Sequence, residues 1–248
     1  MLRLGIIAGC HAVIGGAGER ERWPRLLSQM IEDEYDTSVA LTIETLRHMP
    51  YQWRMSALTD EPLDLVVLLV RNQRVFMDSV LFKRRKRPPG PPHTGAVAQP
   101  SRSRSFIRRH WSDSHVVQPL NRVLGVLAGR YRRAVKREIT EATAANSMAE
   151  ARSIPVVVAG PALSRGLLGR AMCRDIGRQL ARAASGGGYA YIGVSRGWTA
   201  ACFAQAGHDL SIAGHQHLAA TLFDGLTPTL VSLLRRPSRP SVVPSETA

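Results

Sequence analysis

Apolar positions fall in short, dense runs separated by longer stretches of helical spacing. "LRLGIIA" (2–8) ends at Gly9, "PLDLVVLLV" spans 62–70 and "IPVVVAGP" spans 154–161. Such runs lack the alternation of a half-solvated strand and predict strands covered on both faces. "SVALTI" (38–43) and "YAYIGV" (189–194) are two further strand candidates. Between the runs the period lengthens. In "WPRLLSQMIEDEY" (23–35), Trp23, Leu26, Leu27, Met30 and Ile31 share one helical face. "TLRHMPYQWRMSAL" (45–58) predicts a helix broken at Pro50. From 115 to 152, Val116, Leu120, Val123, Leu127, Tyr131, Val135 and Ile139 step by three or four, with Pro119 starting or kinking the helix. Residues 165–185 form an Arg-faced amphipathic pattern closed by Gly186–Gly188, and 214–234 reads as a final helix or two.

Five strands alternating with helices predict an α/β domain: three layers (αβα), flavodoxin-like, with a mostly parallel five-stranded sheet. Ligand sites in such sheets lie at the carboxyl ends of the strands. Those ends carry Gly9–Gly18, Arg71–Arg74, Gly160–Pro161 and the loop at 195–211. One domain is expected over 1–234. It is interrupted at 83–109 by a Pro-, Arg- and Ser-rich segment without periodicity, which reads as a solvated, flexible insertion or as a basic arm for an anionic partner. The tail 235–248 is expected to be disordered.

The net charge is +14, and all but Lys83, Lys86 and Lys136 of the 33 basic residues are arginine. This skew fits a GC-rich genome, yet it raises non-specific attraction to nucleic acids, anionic lipids and acidic glycans. Zinc-ligand spacing, an RNA-binding aromatic signature and a helix-turn-helix pattern are absent from the sequence, which argues against specific nucleic-acid recognition. Three cysteines, Cys10, Cys173 and Cys202, form no disulfide framework and suit a reducing, cytoplasmic setting. No apolar run approaches the ~18 residues needed to span a bilayer, so no membrane span is expected. "IAGC" (7–10) has the look of a lipoprotein cleavage box, but only nine residues precede Cys10, short of a usual leader of about 15–30.

Candidate chemistry lies in three loops. Gly9-Cys10-His11-Ala12-Val13-Ile14-Gly15 follows the first strand and leads to "WPRLL". Arg71-Asn72-Gln73-Arg74 follows the third. Ala206-Gly207-His208-Asp209-Leu210-Ser211-Ile212-Ala213-Gly214-His215 precedes "QHLAATL". In this order the three resemble the signature blocks of the SGNH/GDSL esterases and acyl hydrolases: G-D-S-x-T-x-G, G-x-N-D and D-x-x-H-L-S-x-x-G-H. The resemblance covers most of 2–226 and implies a flavodoxin-like fold and an ester-cleaving ancestry. It departs from the family at the reactive positions. His11 stands where the family has its nucleophilic Ser, and Cys10 where it has the neighbouring Asp. Arg71 takes a Gly position, and Asn72 matches the oxyanion Asn only through a one-residue shift. Ala206 and Asp209 replace the catalytic Asp and His.

Ester hydrolysis by the family route needs a hydroxyl nucleophile, an adjacent base and oxyanion donors. An imidazole does not replace that hydroxyl, and a carboxylate of ordinary pKa near ~4 is a weak base at neutral pH. The expected function is therefore that of a non-catalytic ligand-binding or regulatory protein. Its ligand would be an acyl, glycan or other anionic small molecule, with Gly9, Cys10, Arg71 and Asn72 as the ligand-binding or oxyanion set. Alternatives remain open. His11 and Asp209, with His208, could form an acid/base site for an esterase, acyl hydrolase or acyltransferase. The same three residues are suitable metal ligands, but no HExxH-type or paired-Cys spacing accompanies them, and neither metal nor cofactor is expected. Cys10 could be a nucleophile or a small loop residue. The glycines at 15, 16 and 18 lack the G-x-G-x-x-G order of a dinucleotide loop. Arg71 and Arg74 could hold a carboxylate or phosphate. His215 and His217 open the last helix as packing or capping residues. A third functional class is a basic scaffold that binds polyanions weakly through 83–109.

Overall fold

In the computed structural model, residues 1–9, 18–45, 50–59, 62–70, 123, 129–162, 167–204 and 210–235 are described. The elements run β1 (Leu2–Ala8), α1 (Trp23–Tyr35), β2 (Val39–Thr45), α2 (Tyr51–Leu58), β3 (Leu65–Leu69), α3 (Arg130–Glu150), β4 (Val156–Ala159), α4 (Leu167–Gly187), β5 (Ala190–Ile192) and α5 (Ile212–Leu234). Short 3-10 turns at Glu19–Glu21 and Ala200–Cys202 precede α1 and α5. All strand pairs are parallel, in the order β2-β1-β3-β4-β5. This is the flavodoxin-like order, whose reversal point lies between β1 and β3.

Alternation along each strand sorts the core into two halves. Leu2, Leu4, Ile6 and Ala8 of β1, with Leu65, Val67 and Leu69 of β3, face α1 and α5. Ile7, Val66, Leu68, Val70, Val156 and Val158 face α2, α3 and α4. Covered on both faces, β3 is buried at every position, as its unbroken apolar run requires. Each fully buried Leu, Ile or Val side chain stabilises the fold by about 1.5–3 kcal/mol. α1 starts at Trp23 with Pro24 in its first turn, where a missing N–H costs nothing. Across the second layer, the Tyr51 hydroxyl donates to Glu138 Oε2 at 2.5 Å and joins α2 to α3 inside the core.

Several expectations shift. The helical stripe predicted from 115 does not run unbroken to 152: Gly129, at φ 65°, is the N-cap of α3. Val123, assigned to the buried stripe, is 44% exposed, while Val116, Leu120 and Leu127 lie outside the described residues. Pro50 is the N-cap of α2 rather than a kink within it. The last helix begins at Ile212, and Pro228 lies inside it on an exposed position. That helix has 23 residues and contains an 18-residue window of mean hydropathy 1.2, long and apolar enough by length and composition to cross a membrane. Its contiguous apolar runs are short because His215, Gln216, His217 and Asp224 interrupt them. Its Leu218, Leu222, Leu226 and Leu230 are part of the core, packed with α1 and the sheet. The insertion 83–109 and all of the tail after Arg235 lie outside the described residues.

Candidate functional site

β1 and β3 are neighbours at the reversal point, and their register sets their carboxyl ends side by side. Ile7 pairs with Leu68, so Gly9 and Val70 leave the sheet two residues further on, at the same level. Val70 N–H donates to Ala159 O at 3.1 Å and Gly160 N–H to Ile192 O at 2.8 Å, extending the ladder to that edge. α1 starts at this end of the sheet. α5 starts there too, because Nδ1 of the buried His215 accepts the Trp23 N–H at 3.3 Å. The three loops singled out in the sequence therefore spring from one carboxyl edge.

Of the predicted site residues, Gly9 is described: it is buried at the end of β1. Cys10, His11, Arg71, Asn72, His208 and Asp209 lie outside the described residues, as does Arg74. Their flanks, Gly9, Val70 and Leu210, belong to the edge just described.

In the described part of the 206–215 block, Leu210, Ser211, Gly214 and His215 make framework contacts. Leu210 bridges Phe203 in an antiparallel pair. The Ser211 hydroxyl accepts the Gly214 N–H at 3.1 Å and donates to Ala201 O at 2.5 Å, capping α5 and tying it to the preceding turn. At Gly214 a Cβ would collide with the backbone carbonyl of Cys202. His215 satisfies the first N–H of α1, one of the donors a helix leaves without an internal acceptor. His217 donates from Nε2 to Arg196 O at 2.8 Å and packs edge-on against Trp198 at 5.1 Å. Packing and capping, the expectation for both histidines, is what their contacts provide. Cys173 and Cys202 are buried thiols outside any disulfide, and the Cys173 thiol donates to Ala162 O at 3.6 Å.

No family model matches this chain, and no curated protein matches it. Solved structures do. TesA superposes with a TM-score of 0.58 at 13% identity, over 91% of this chain and 98% of that one. A lipolytic protein of the G-D-S-L family from Desulfitobacterium hafniense gives 0.52 at 12%, over 91% and 100%. Axe2, an acetylxylan esterase from Geobacillus stearothermophilus, gives 0.56 at 12%, over 91% and 94%. The chain has the SGNH-hydrolase fold. At these identities the likeness concerns the backbone framework; the chemistry rests on the residues this chain places at its carboxyl edge. One feature of the described residues was missed in the sequence: Tyr191, Arg196 and three arginines of α4 (Arg170, Arg174 and Arg178) line a groove at the sheet's outer edge. Their only sequence signal was the Arg-faced pattern of 165–185.

Proposed function

We propose that this SGNH-fold protein lacks the Ser-Asp-His triad and works as a non-catalytic ligand-binding or regulatory protein. The observation that carries the reading is the split within the 206–215 block. Leu210, Ser211, Gly214 and His215 match the family pattern, and each holds the framework in its own way, as bridge, helix cap, close approach and support of α1. Ala206 and Asp209, the positions that carry the family's catalytic pair, do not match it. The scaffolding of the block is retained and its reactive groups are exchanged. At the first loop, His11 and Cys10 stand in place of Ser and Asp in the same way. Removing a single triad member costs orders of magnitude in rate, and here all the positions have changed. Ser211 supplies no substitute nucleophile, since its hydroxyl is engaged on both sides.

In this reading the cleft above Gly9 and Val70 binds an acyl, glycan or other anionic small molecule without cleaving it, in a cytoplasmic setting. The test is hydrolysis of short-chain nitrophenyl esters by the purified protein, beside His11→Ala and Asp209→Ala, with and without added divalent metal. Background rates in all three support the proposal. Turnover that disappears in both folded variants overturns it in favour of a rearranged His11/Asp209 esterase.

A further inference from the structure

Away from that cleft, a groove of about 1190 Å³ runs along the outer edge of the sheet, between α4 and the segment after β5. Arg170, Arg174 and Arg178 line one side, with Tyr191, Ser195 and Arg196 opposite or beneath. The three α4 arginines are four residues apart and stack along one helix face, with a rise of about 6 Å per step. Like charges at this spacing repel and weaken a helix. Among the described residues, little offsets them. Arg178 reaches Asp175 at 3.6 Å, but that carboxylate also accepts from Tyr131 and Gln179, both at 2.7 Å. Among the described residues, no carboxylate pairs with Arg170, Arg174 or Arg196, and the Nε of Arg170 is shielded from water without an acceptor.

The groove is also closely packed. Tyr191 projects from β5 over Gly160 and Gly177, and a Cβ at Gly160 would collide with its hydroxyl, while one at Gly177 would lie 3.0 Å away. That hydroxyl has no hydrogen-bond partner among the described residues. Burial pushes its pKa up to about 12, so it remains a proton donor at neutral pH. Arg196 sits on a loop pinned from α5: His217 holds its carbonyl, and the Trp198 indole N–H donates to Val194 O at 2.6 Å. Gly197, at φ 75°, completes the turn, with a would-be Cβ only 2.6 Å from the His217 ring.

We propose that this groove is a binding site for a small oligophosphate, held by the guanidiniums of Arg170, Arg174, Arg178 and Arg196 and by the Tyr191 hydroxyl. Guanidinium forks match phosphoryl oxygens in geometry as well as charge. A row of guanidiniums calls for several negative charges in sequence; a phosphoryl chain supplies them in a small volume, whereas a monocarboxylate supplies one. The site is independent of the cleft reading.

The test is calorimetric titration of the full-length protein with inorganic triphosphate at near-physiological salt, with orthophosphate and a single-stranded oligonucleotide as comparators. Arg170→Ala/Arg174→Ala should weaken triphosphate binding about tenfold or more, and Tyr191→Phe by a smaller factor. Arg174→Gln, a milder change at an exposed position, should give the same direction in a protein whose circular dichroism is unchanged. Two full-length controls remove equal or greater charge elsewhere: exposed Arg132→Ala/Arg133→Ala on α3, and alanine at Arg84, Arg85, Lys86 and Arg87. Both should leave binding unchanged. No triphosphate binding, equal loss in either control, or binding of the oligonucleotide without the triphosphate would each overturn the proposal.

Discussion

His215→Ala should be among the more damaging single changes to this protein, and its cost follows from the contacts at the carboxyl edge. The first N–H groups of α1 have no acceptor within the helix, and Arg22 provides no side-chain cap. His215 Nδ1 accepts the Trp23 N–H at 3.3 Å, and both residues are 0% exposed. Alanine leaves that N–H without its acceptor where water does not reach, a loss of about 1–3 kcal/mol. The contact is long, so the lower end applies. Deleting the ring from a packed site adds roughly 2 kcal/mol, the low end for large-to-small core changes. The sum is about 3 kcal/mol, which at a urea slope of about 2–3 kcal/mol/M lowers the midpoint by roughly 1 M. His217, two residues along, is the internal control. It is half-buried, with one bond to Arg196 O and an edge-on ring contact, so His217→Ala should cost only about 1 kcal/mol. Urea melts of both variants, followed by circular dichroism, decide the matter. Equal costs, or a larger cost at His217, would refute the assignment of His215 as the support of α1.

Two further outcomes follow from local geometry. Gly160→Ala forces its new methyl into the Tyr191 hydroxyl, at a cost of about 1–3 kcal/mol; adding Tyr191→Phe should recover most of the lost melting temperature, and a double variant no better than the single one would contradict the close approach. At the amino end of the sheet, partial burial alone would raise the Asp64 carboxyl, but the Arg3 guanidinium at 2.9 and 3.2 Å and the Arg3 backbone N–H at 2.8 Å hold it below its ordinary value. A pKa lower in the folded than in the unfolded state gives stability that is present above the unfolded value of about 4 and lost as pH falls through the folded one. The side chains are 40% and 31% exposed, so screening keeps the contribution below about 1 kcal/mol. An NMR titration in which Asp64 ionises at or above the ordinary value would exclude this pair as a source of acid sensitivity.

The fold was legible where local pattern and tertiary role coincide. The β3 run predicted a strand buried on both faces, "WPRLL" predicted the start of α1, and Gly186–Gly188 predicted the end of α4, which closes at Gly187 with Gly188 at φ 70°. It was less legible where a backbone preference interrupts a continuous apolar stripe. Gly129 occupies the left-handed region and caps α3, so the periodicity through Leu127 and Tyr131 spans a break. The Arg groove was hidden for another reason. Arginines at 170, 174 and 178 read as a solvated helix face until β5 and the loop after it are placed opposite them. At the carboxyl edge, the frame was readable from the strand ends, whereas the relation of His11 to Asp209 belongs to loops outside the described residues.

The separation of framework from chemistry has a physical basis in this chain. Rows such as Leu4, Ile6 and Ala8 in β1, or Val66 and Leu68 in β3, end before the loops begin. In sequence, positions 10, 11, 71 and 72 come after these rows, and 206 and 209 come just before α5. The contacts within the rows are made by the strand residues themselves and do not depend on which residue types follow. The same does not hold at Gly214 and His215, where a Cβ meets the Cys202 carbonyl and a lost imidazole leaves the Trp23 N–H without its acceptor. Drift away from catalysis would thus be cheap at the reactive positions and costly at the supporting ones. On the proposed reading the 206–215 block carries that division: residues that resemble the family pattern at 210, 211, 214 and 215, and departures from it at 206 and 209. On the proposed reading, the carboxyl edge stays available to a ligand after the reaction is lost, because its base at Gly9 and Val70 is built from the sheet itself.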